Sequence, residues 1–111
     1  MTYQDLVNYV INNVDDIPTF PLTKTTPKWF HAYVEDGRIF VENSNEIQPS
    51  CNIKGKRLLI EEHFDVMYDY YQRRLNGERV SQEVAHYDVC QVYWYGIIRV
   101  VSKNVQDCVS C

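Results

Sequence analysis

The stretch WFHAYVEDGRIFVEN, residues 29–43, decides the fold because it is the most strongly patterned part of the chain. Two runs of β-branched and aromatic residues flank Asp36-Gly37, the dipeptide that a tight hairpin turn prefers. Since side chains alternate along a strand, the first run presents two different faces. These faces are Trp29, His31 and Tyr33 on one side, and Phe30, Ala32 and Val34 on the other. The sequence therefore predicts an antiparallel β-hairpin.

An N-terminal helix is predicted before the hairpin. Thr2 and Asp5 are spaced as in a capping box, and apolar residues recur at helical spacing as far as Val14, so we expect a helix over residues 3–14. Residues 15–27 carry three prolines and four threonines, which neither a helix nor a central strand tolerates. This second segment is predicted to be a loop that wraps the domain.

The chain after the hairpin is predicted to be a polar loop that contains Cys51, followed by helices. The second helix begins after Leu59 and ends before Gly77, because apolar residues recur there at helical spacing. Its expected apolar face consists of Ile60, Phe64, Met67, Tyr71 and Leu75.

Two further helices are predicted near the C-terminus. Ser81 is a suitable cap for a short helix, and Asp88 with Gln91 forms the pattern of a second capping box. Residues 89–103 are apolar enough to form a buried strand as well, and we favour a helix because of the segment's length and cap.

The amounts of charge and apolar residues place limits on the function. The chain has 111 residues, 45% of them hydrophobic, so we expect one globular domain over residues 1–111. The net charge is −4, and residues 1–50 hold seven acids against three bases. An acidic chain is a poor ligand for phosphate backbones and suits a basic groove that normally holds nucleic acid. Without a leader pattern or a membrane-spanning stretch, we expect a cytoplasmic protein.

Four cysteines raise the question of a metal site. Cys108 and Cys111 form a close pair, whereas Cys51 and Cys90 are single, so the spacing is weaker than two Cys-x-x-Cys pairs. We predict that all four bind one structural Zn²⁺, which would fasten the C-terminal tail, and His86 is an alternative ligand for one sulfur. The other interpretation makes Cys51 and Cys90 small buried hydrophobes and leaves the tail pair unbound or oxidised. Redox catalysis is not expected, because no helix follows the pair.

No catalytic motif is present in the sequence, and we expect a protein that is not an enzyme. His31 has no carboxylate or serine at a motif spacing, and His63 is expected at the surface. The two C-terminal helices suggest a helix-turn-helix, but its second helix would present Val92, Tyr93 and Trp94, which favour packing over base recognition.

Two C-terminal segments carry a resemblance to a known family: GKRLLIEEHFDVMYDYYQRR, residues 55–74, and VSQEVAHYDVCQVYWYGIIR, residues 80–99. They resemble small proteins of phages and mobile elements of Gram-positive bacteria, and among these the anti-CRISPR proteins that inhibit type II RNA-guided nucleases. The similarity covers residues 29–111, with residues 92–96 the most distinctive part. It implies an inhibitor in the host bacterial cytoplasm that binds the CRISPR-associated effector nuclease directly and blocks nucleic-acid loading or target recognition, and a zinc-binding member of the group would fit the cysteines.

The sequence thus predicts an α+β fold: an N-terminal helix, a β-hairpin, a helical C-terminal half and a zinc-fastened C-terminal tail. The expected function is inhibition of a type II nuclease without direct binding of nucleic acid or membrane. The alternatives are a small helix-turn-helix DNA-binding regulator and a zinc-stabilised protein-interaction module. Acidic residues expected to contact the partner are Asp15, Asp16, Glu35, Asp36, Glu42 and Glu46.

Overall fold

The Asp36-Gly37 turn joins the two longest strands, β2 (Trp29–Glu35) and β3 (Arg38–Asn43). Both turn residues have positive φ, 53° at Asp36 and 73° at Gly37, which is the backbone that a primed two-residue hairpin turn requires. The strands pair antiparallel, with Tyr33 opposite Phe40. The predicted hairpin is confirmed.

The computed structural model describes residues 1–13, 15–20, 26–44, 47, 49–51, 53–88 and 90–109, without the side chains of residues 81 and 105–109. Two short strands, β1 (Ile17–Pro18) and β4 (Arg57–Leu59), extend the hairpin to a four-stranded antiparallel sheet in the order β1-β2-β3-β4. The helices are α1 (Tyr3–Asn12), α2 (Phe64–Leu75), α3 (Ser81–Tyr87) and α4 (Gln91–Val109), and a 3₁₀ turn (Glu61–His63) precedes α2. The α+β class is confirmed; the zinc-fastened tail stays a prediction.

The sheet is buried on one face only. The inner face packs against the helices and is fully or almost fully buried at Phe30, Ala32, Ile39, Val41 and Leu59. The outer face is half-exposed along its whole width, at Trp29, His31, Tyr33, Phe40 and Leu58. This contrast follows from the alternation of side chains along each strand.

Helix α1 begins at the predicted capping box. The Thr2 hydroxyl accepts a hydrogen bond from the Asp5 amide at 3.2 Å, and the Asp5 carboxylate accepts one from the Thr2 amide at 2.8 Å. Tyr3 then ties the helix to the sheet, because its hydroxyl donates to the Leu59 carbonyl at 2.8 Å and accepts from the Ile39 amide at 2.9 Å. The helix ends at Asn12, and Val14 lies outside the described residues.

The predicted wrapping loop contains a strand that the sequence did not indicate. Ile17 pairs with Phe30 and Pro18 with Trp29, which makes residues 17–18 the edge strand β1. Proline is tolerated there because an edge strand can leave one side of its backbone unpaired. Prolines therefore excluded a central strand, as expected, but not an edge.

The apolar face of α2 differs from the predicted one at both ends. Phe64, Met67 and Tyr71 are buried as expected, whereas Ile60 is 39% and Leu75 is 56% exposed. Ile60 precedes the helix in an extended conformation, so it does not continue the helical face. Arg74 is buried in place of Leu75, and this unexpected cation is considered below.

The last segment is a helix, as favoured from its length. In α4, Trp94, Ile97, Ile98 and Val101 form a buried stripe at helical spacing. The predicted short helix α3 forms, but it begins at Ser81, one residue earlier than expected, so its N-cap is Val80 without a side-chain hydrogen bond. Among the helices of the described residues, none combines the length and the apolar character needed to cross a bilayer.

Candidate functional site

The outer face of the sheet carries a continuous row of stacked rings, which we call the aromatic row: His31, Tyr33 and Phe40. The His31 and Tyr33 ring centroids are 6.2 Å apart with planes 21° from parallel, and those of Tyr33 and Phe40 are 5.7 Å apart and 19° from parallel. The Lys56 ammonium lies 4.8 Å from the Phe40 centroid and ends the row. All three rings are half-exposed, so the row is open to a partner.

A carboxylate completes the environment of the Lys56 ammonium. Glu35 lies 3.7 Å from it, and both side chains are more than half exposed, at 56% and 53%. Glu35, Asp36, Arg38, Phe40 and Lys56 line a shallow depression of about 280 Å³. This end of the face therefore holds a cation between an aromatic ring and a carboxylate, the combination that binds ammonium and guanidinium groups.

The structure separates the acidic residues that the sequence assigned to a partner. Glu35 and Asp36 lie at the hairpin turn, and Glu42 pairs with His31 on the outer face, so these three flank the aromatic row. Asp15 is exposed between α1 and β1. Glu46 lies outside the described residues.

Asp16 does not behave as a surface charge. Its side chain is only 6% exposed, and one oxygen lies 3.0 Å from His31 Nδ1. The other oxygen accepts a short hydrogen bond from the Ser44 hydroxyl. Asp16 therefore orients the first ring of the aromatic row from within the protein, and it is not available to a partner as a free charge. The sequence does not identify Asp16 as the partner of His31, because the two residues are 15 positions apart and their spacing matches no motif.

Asp88 is a second buried carboxylate with several polar contacts. It accepts hydrogen bonds from the Cys90 amide at 2.7 Å and from Trp94 Nε1 at 2.8 Å. A third contact, of 2.9 Å, joins it to His63 Nδ1. The sequence predicted that Asp88 would form a capping box with Gln91. In the structure the Asp88 carboxylate accepts from the Cys90 amide, one residue before Gln91. His63, expected at the surface, is three-quarters buried by this contact.

Cys51 and Cys90 are both buried, and both lie near Tyr93. Burial, and secondarily these two cysteines, raises the pKa of Tyr93. Burial, and secondarily the Asp88 carboxylate, raises the pKa of the Cys90 thiol to about 11. Burial also raises the pKa of Cys51. Zinc binds the thiolate form of cysteine, whereas these surroundings favour the protonated thiol unless a cation is present.

The geometry of α4 limits the predicted zinc site. The helix is continuous from Gln91 to Val109, and its rise places the backbones of Gln91 and Cys108 about 25 Å apart. Zinc-bound sulfurs all lie about 2.3 Å from one ion. A site that contains both Cys90 and Cys108 would therefore require α4 to end before Cys108. Cys111 lies outside the described residues, and no group of three or more metal-binding side chains occurs within them.

We expect the Cys90 thiol to make folding less stable in alkaline solution. Above pH 9 the unfolded chain loses this proton, whereas the folded protein keeps it to about pH 11. The free energy of unfolding should therefore fall by up to about 1.4 kcal/mol per pH unit across this window. Urea titrations at pH 8–11 measure the slope, which should be shallower in Cys90→Ala. Equal slopes would contradict the assignment, and a slope that changes on adding a chelator would support zinc at Cys90 instead.

The helix-turn-helix alternative is not supported by the position of α4. Trp94, which such a unit would present to DNA, is completely buried, and of residues 91–94 at the start of α4 only Val92 is clearly exposed. The more exposed arginine of α2 is also held by acidic residues. Arg73 forms ion pairs with Asp69, Glu78 and Glu83.

Comparisons with protein-family models, with curated proteins and with solved structures returned no match. The function is therefore proposed from the residues and their geometry.

Proposed function

We propose that this protein is a binding module that inhibits a type II RNA-guided nuclease by docking its aromatic row against a basic surface of the enzyme. The observation that carries the proposal is the seat of Lys56, held by the Phe40 ring at 4.8 Å and by Glu35 at 3.7 Å. Lys56 shows how a cation binds at one end of the row. We propose that lysine or arginine side chains of the partner bind to the other rings in the same way.

The chemistry of the row favours basic side chains. Guanidinium and ammonium groups are attracted to ring faces, and this attraction is stronger when the site is shielded from water. Glu35, Asp36 and Glu42 add negative charge beside the rings. A nuclease that holds its guide–target duplex in a positively charged channel offers the complementary surface, so occupation of that surface would block nucleic-acid loading or target recognition.

Single-stranded nucleic acid is the rival occupant, because bases also stack on exposed aromatic rings. Such sites combine the rings with a positively charged groove. Here the ammonium nearest to the row is paired with Glu35, and the whole chain carries a net charge of −4. These charges disfavour a phosphate backbone and support the protein partner.

We expect Tyr33→Ala and Phe40→Ala each to weaken inhibition by about 30-fold or more, because central aromatic residues contribute about 2 kcal/mol or more to an interface. The measurement is the inhibitor concentration that halves target cleavage by purified type II effectors. Tyr87→Ala is the matched control, since Tyr87 is 38% exposed on α3 and lies outside the row. Circular dichroism of each variant verifies the fold.

Two results would contradict the proposal. One is wild-type protein that leaves cleavage by all tested effectors unchanged and recovers none of them in pull-downs. The other is tight binding of a single-stranded oligonucleotide that weakens steeply with added salt and requires Tyr33 and Phe40, since this would identify a nucleic-acid site.

A further inference from the structure

Arg74 is a buried cation that has no carboxylate partner among the described residues. It lies in α2 and is 9% exposed. Its Nη2 donates a short hydrogen bond to the Phe20 carbonyl. The guanidinium carbon lies 4.8 Å from the Phe20 ring centroid and 4.7 Å from that of Tyr95, so two rings contact the group. Burial lowers its pKa, as expected for a charge removed from water.

Most of the hydrogen-bonding capacity of this guanidinium is unused. Among the described residues, Nε and Nη1 are inaccessible to water and have no acceptor, and the hydroxyl of Tyr95, whose ring contacts the guanidinium, is also buried without a partner. Those two nitrogens carry about three of the five N–H donors of an arginine. Buried charges are normally paired, because an unpaired one loses its hydration without compensation. Within the described part of the chain, Arg74 forms no ion pair.

A second guanidinium contacts the same ring. The guanidinium carbon of Arg99, in α4, lies 4.4 Å from the same Phe20 ring. Tyr71 closes the group, with its ring 6.2 Å from the Phe20 ring and 6.2 Å from the Tyr95 ring. Two guanidinium groups thus contact one ring, and three buried polar atoms of Arg74 and Tyr95 lack a hydrogen-bond partner in the described structure. Aromatic rings attract a guanidinium but do not accept the hydrogen bonds of its Nε–H and Nη1–H groups, so an oxygen-bearing anion is the partner that Arg74 lacks.

We propose that Arg74, Arg99 and Tyr95 form a binding site for an oxyanion, a phosphate or a carboxylate, covered by the Phe20 ring. The half-buried Phe20 ring contacts both guanidinium groups and is the element whose displacement admits the ligand. An anion at this position accepts hydrogen bonds from Arg74 and Tyr95 and offsets the buried charge of Arg74, with Arg99 adding to the positive potential. This site lies apart from the aromatic row and does not depend on the proposed nuclease partner.

The experiment uses the whole chain and two probes, inorganic phosphate and acetate, each at ionic strength matched with sodium chloride. Thermal unfolding reports stabilisation by a ligand that binds the folded state, and the ¹⁵N-edited signal of the Arg74 Nε–H group reports contact. Arg74→Met removes the charge with similar volume and is expected to fold, because apolar replacement of a buried charge is often neutral or stabilising. Arg73→Met, one residue earlier on the exposed side of α2, is the matched control.

We expect phosphate, acetate or both to raise the melting temperature of the wild type and of Arg73→Met by about 5 °C or more near saturation. Arg74→Met should show no such rise, and Tyr95→Phe should need several-fold more anion. The probe with the lower half-saturating concentration distinguishes a phosphate site from a carboxylate site. Equal responses of Arg74→Met and the wild type, or an unchanged Arg74 Nε–H signal with both anions, would overturn the proposal.

Discussion

Replacing Asp88 by alanine is expected to lower the free energy of unfolding by about 3–5 kcal/mol. The carboxylate accepts hydrogen bonds from the Cys90 amide and from Trp94 Nε1, and a third contact joins it to His63. Alanine leaves the Trp94 donor without an acceptor in a side chain that is completely buried. An unsatisfied buried donor costs about 1–3 kcal/mol, so the loss of three contacts is a large part of a small domain's stability.

Urea-induced unfolding, followed by tryptophan fluorescence, measures this effect. Asp69→Ala is the matched control, because Asp69 is 67% exposed and its substitution should stay within about 0.5 kcal/mol of the wild type. Trp94→Phe in both backgrounds completes a double-mutant cycle. We expect a coupling energy of about 1 kcal/mol or more between Asp88 and Trp94. Additive effects would show that this hydrogen bond does not hold the start of α4.

The second large effect is expected at Gly96, where α4 crosses the sheet. A Cβ added at this glycine would lie 2.7 Å from the Pro18 carbonyl oxygen and 3.1 Å from the Phe30 ring. The Pro18 oxygen belongs to the backbone, so no change of side-chain rotamer can relieve the contact. Gly96→Val should therefore lower the free energy of unfolding by about 3 kcal/mol, and Gly96→Ala by about 1–2 kcal/mol, because overpacking outweighs the gain in helix propensity.

A substitution at an exposed position of α4 distinguishes the effect of helix propensity from the effect of packing against the sheet. Lys103 is exposed in α4, so Lys103→Gly and Lys103→Ala differ mainly in helix propensity. Alanine should be more stable than glycine at residue 103 by about 1 kcal/mol, whereas the order should be reversed at residue 96. The same order at both positions would mean that α4 can move away from β1 without cost.

Gly96 and Asp88 bear on the proposed function through α4. Gly96 lets the helix lie against Pro18 and Phe30 of the sheet, and Asp88 accepts hydrogen bonds at the start of the same helix. The outer face is then the one that the helices leave open, and the aromatic row lies on it. Asp16 adds a separate constraint, since it orients His31 at the end of the row. The proposed binding surface therefore depends on contacts made on the opposite side of the sheet.

Local features of the sequence determined the hairpin, the capped N-terminal helix and the helical C-terminal half. The Asp36-Gly37 turn adopts positive φ at both residues, and the Thr2–Asp5 capping box forms as predicted. The alternation of residues 29–34 also predicted which rings share the outer face. Each of these features depends on residues within about one turn or one strand of each other, so the signal is present in the linear order.

Only the tertiary structure decided the roles of the charged and polar residues. Asp16 resembles its acidic neighbours in the sequence but is buried against Ser44, 28 residues away. Arg74 resembles Arg73, yet its oxygen contact is to Phe20, 54 residues away. The Lys56 seat likewise joins β3 to the segment before β4. Whether a charge is solvated, paired or left unmatched depends on what the folded chain brings within a few ångströms of it, and the order of residues does not contain that information.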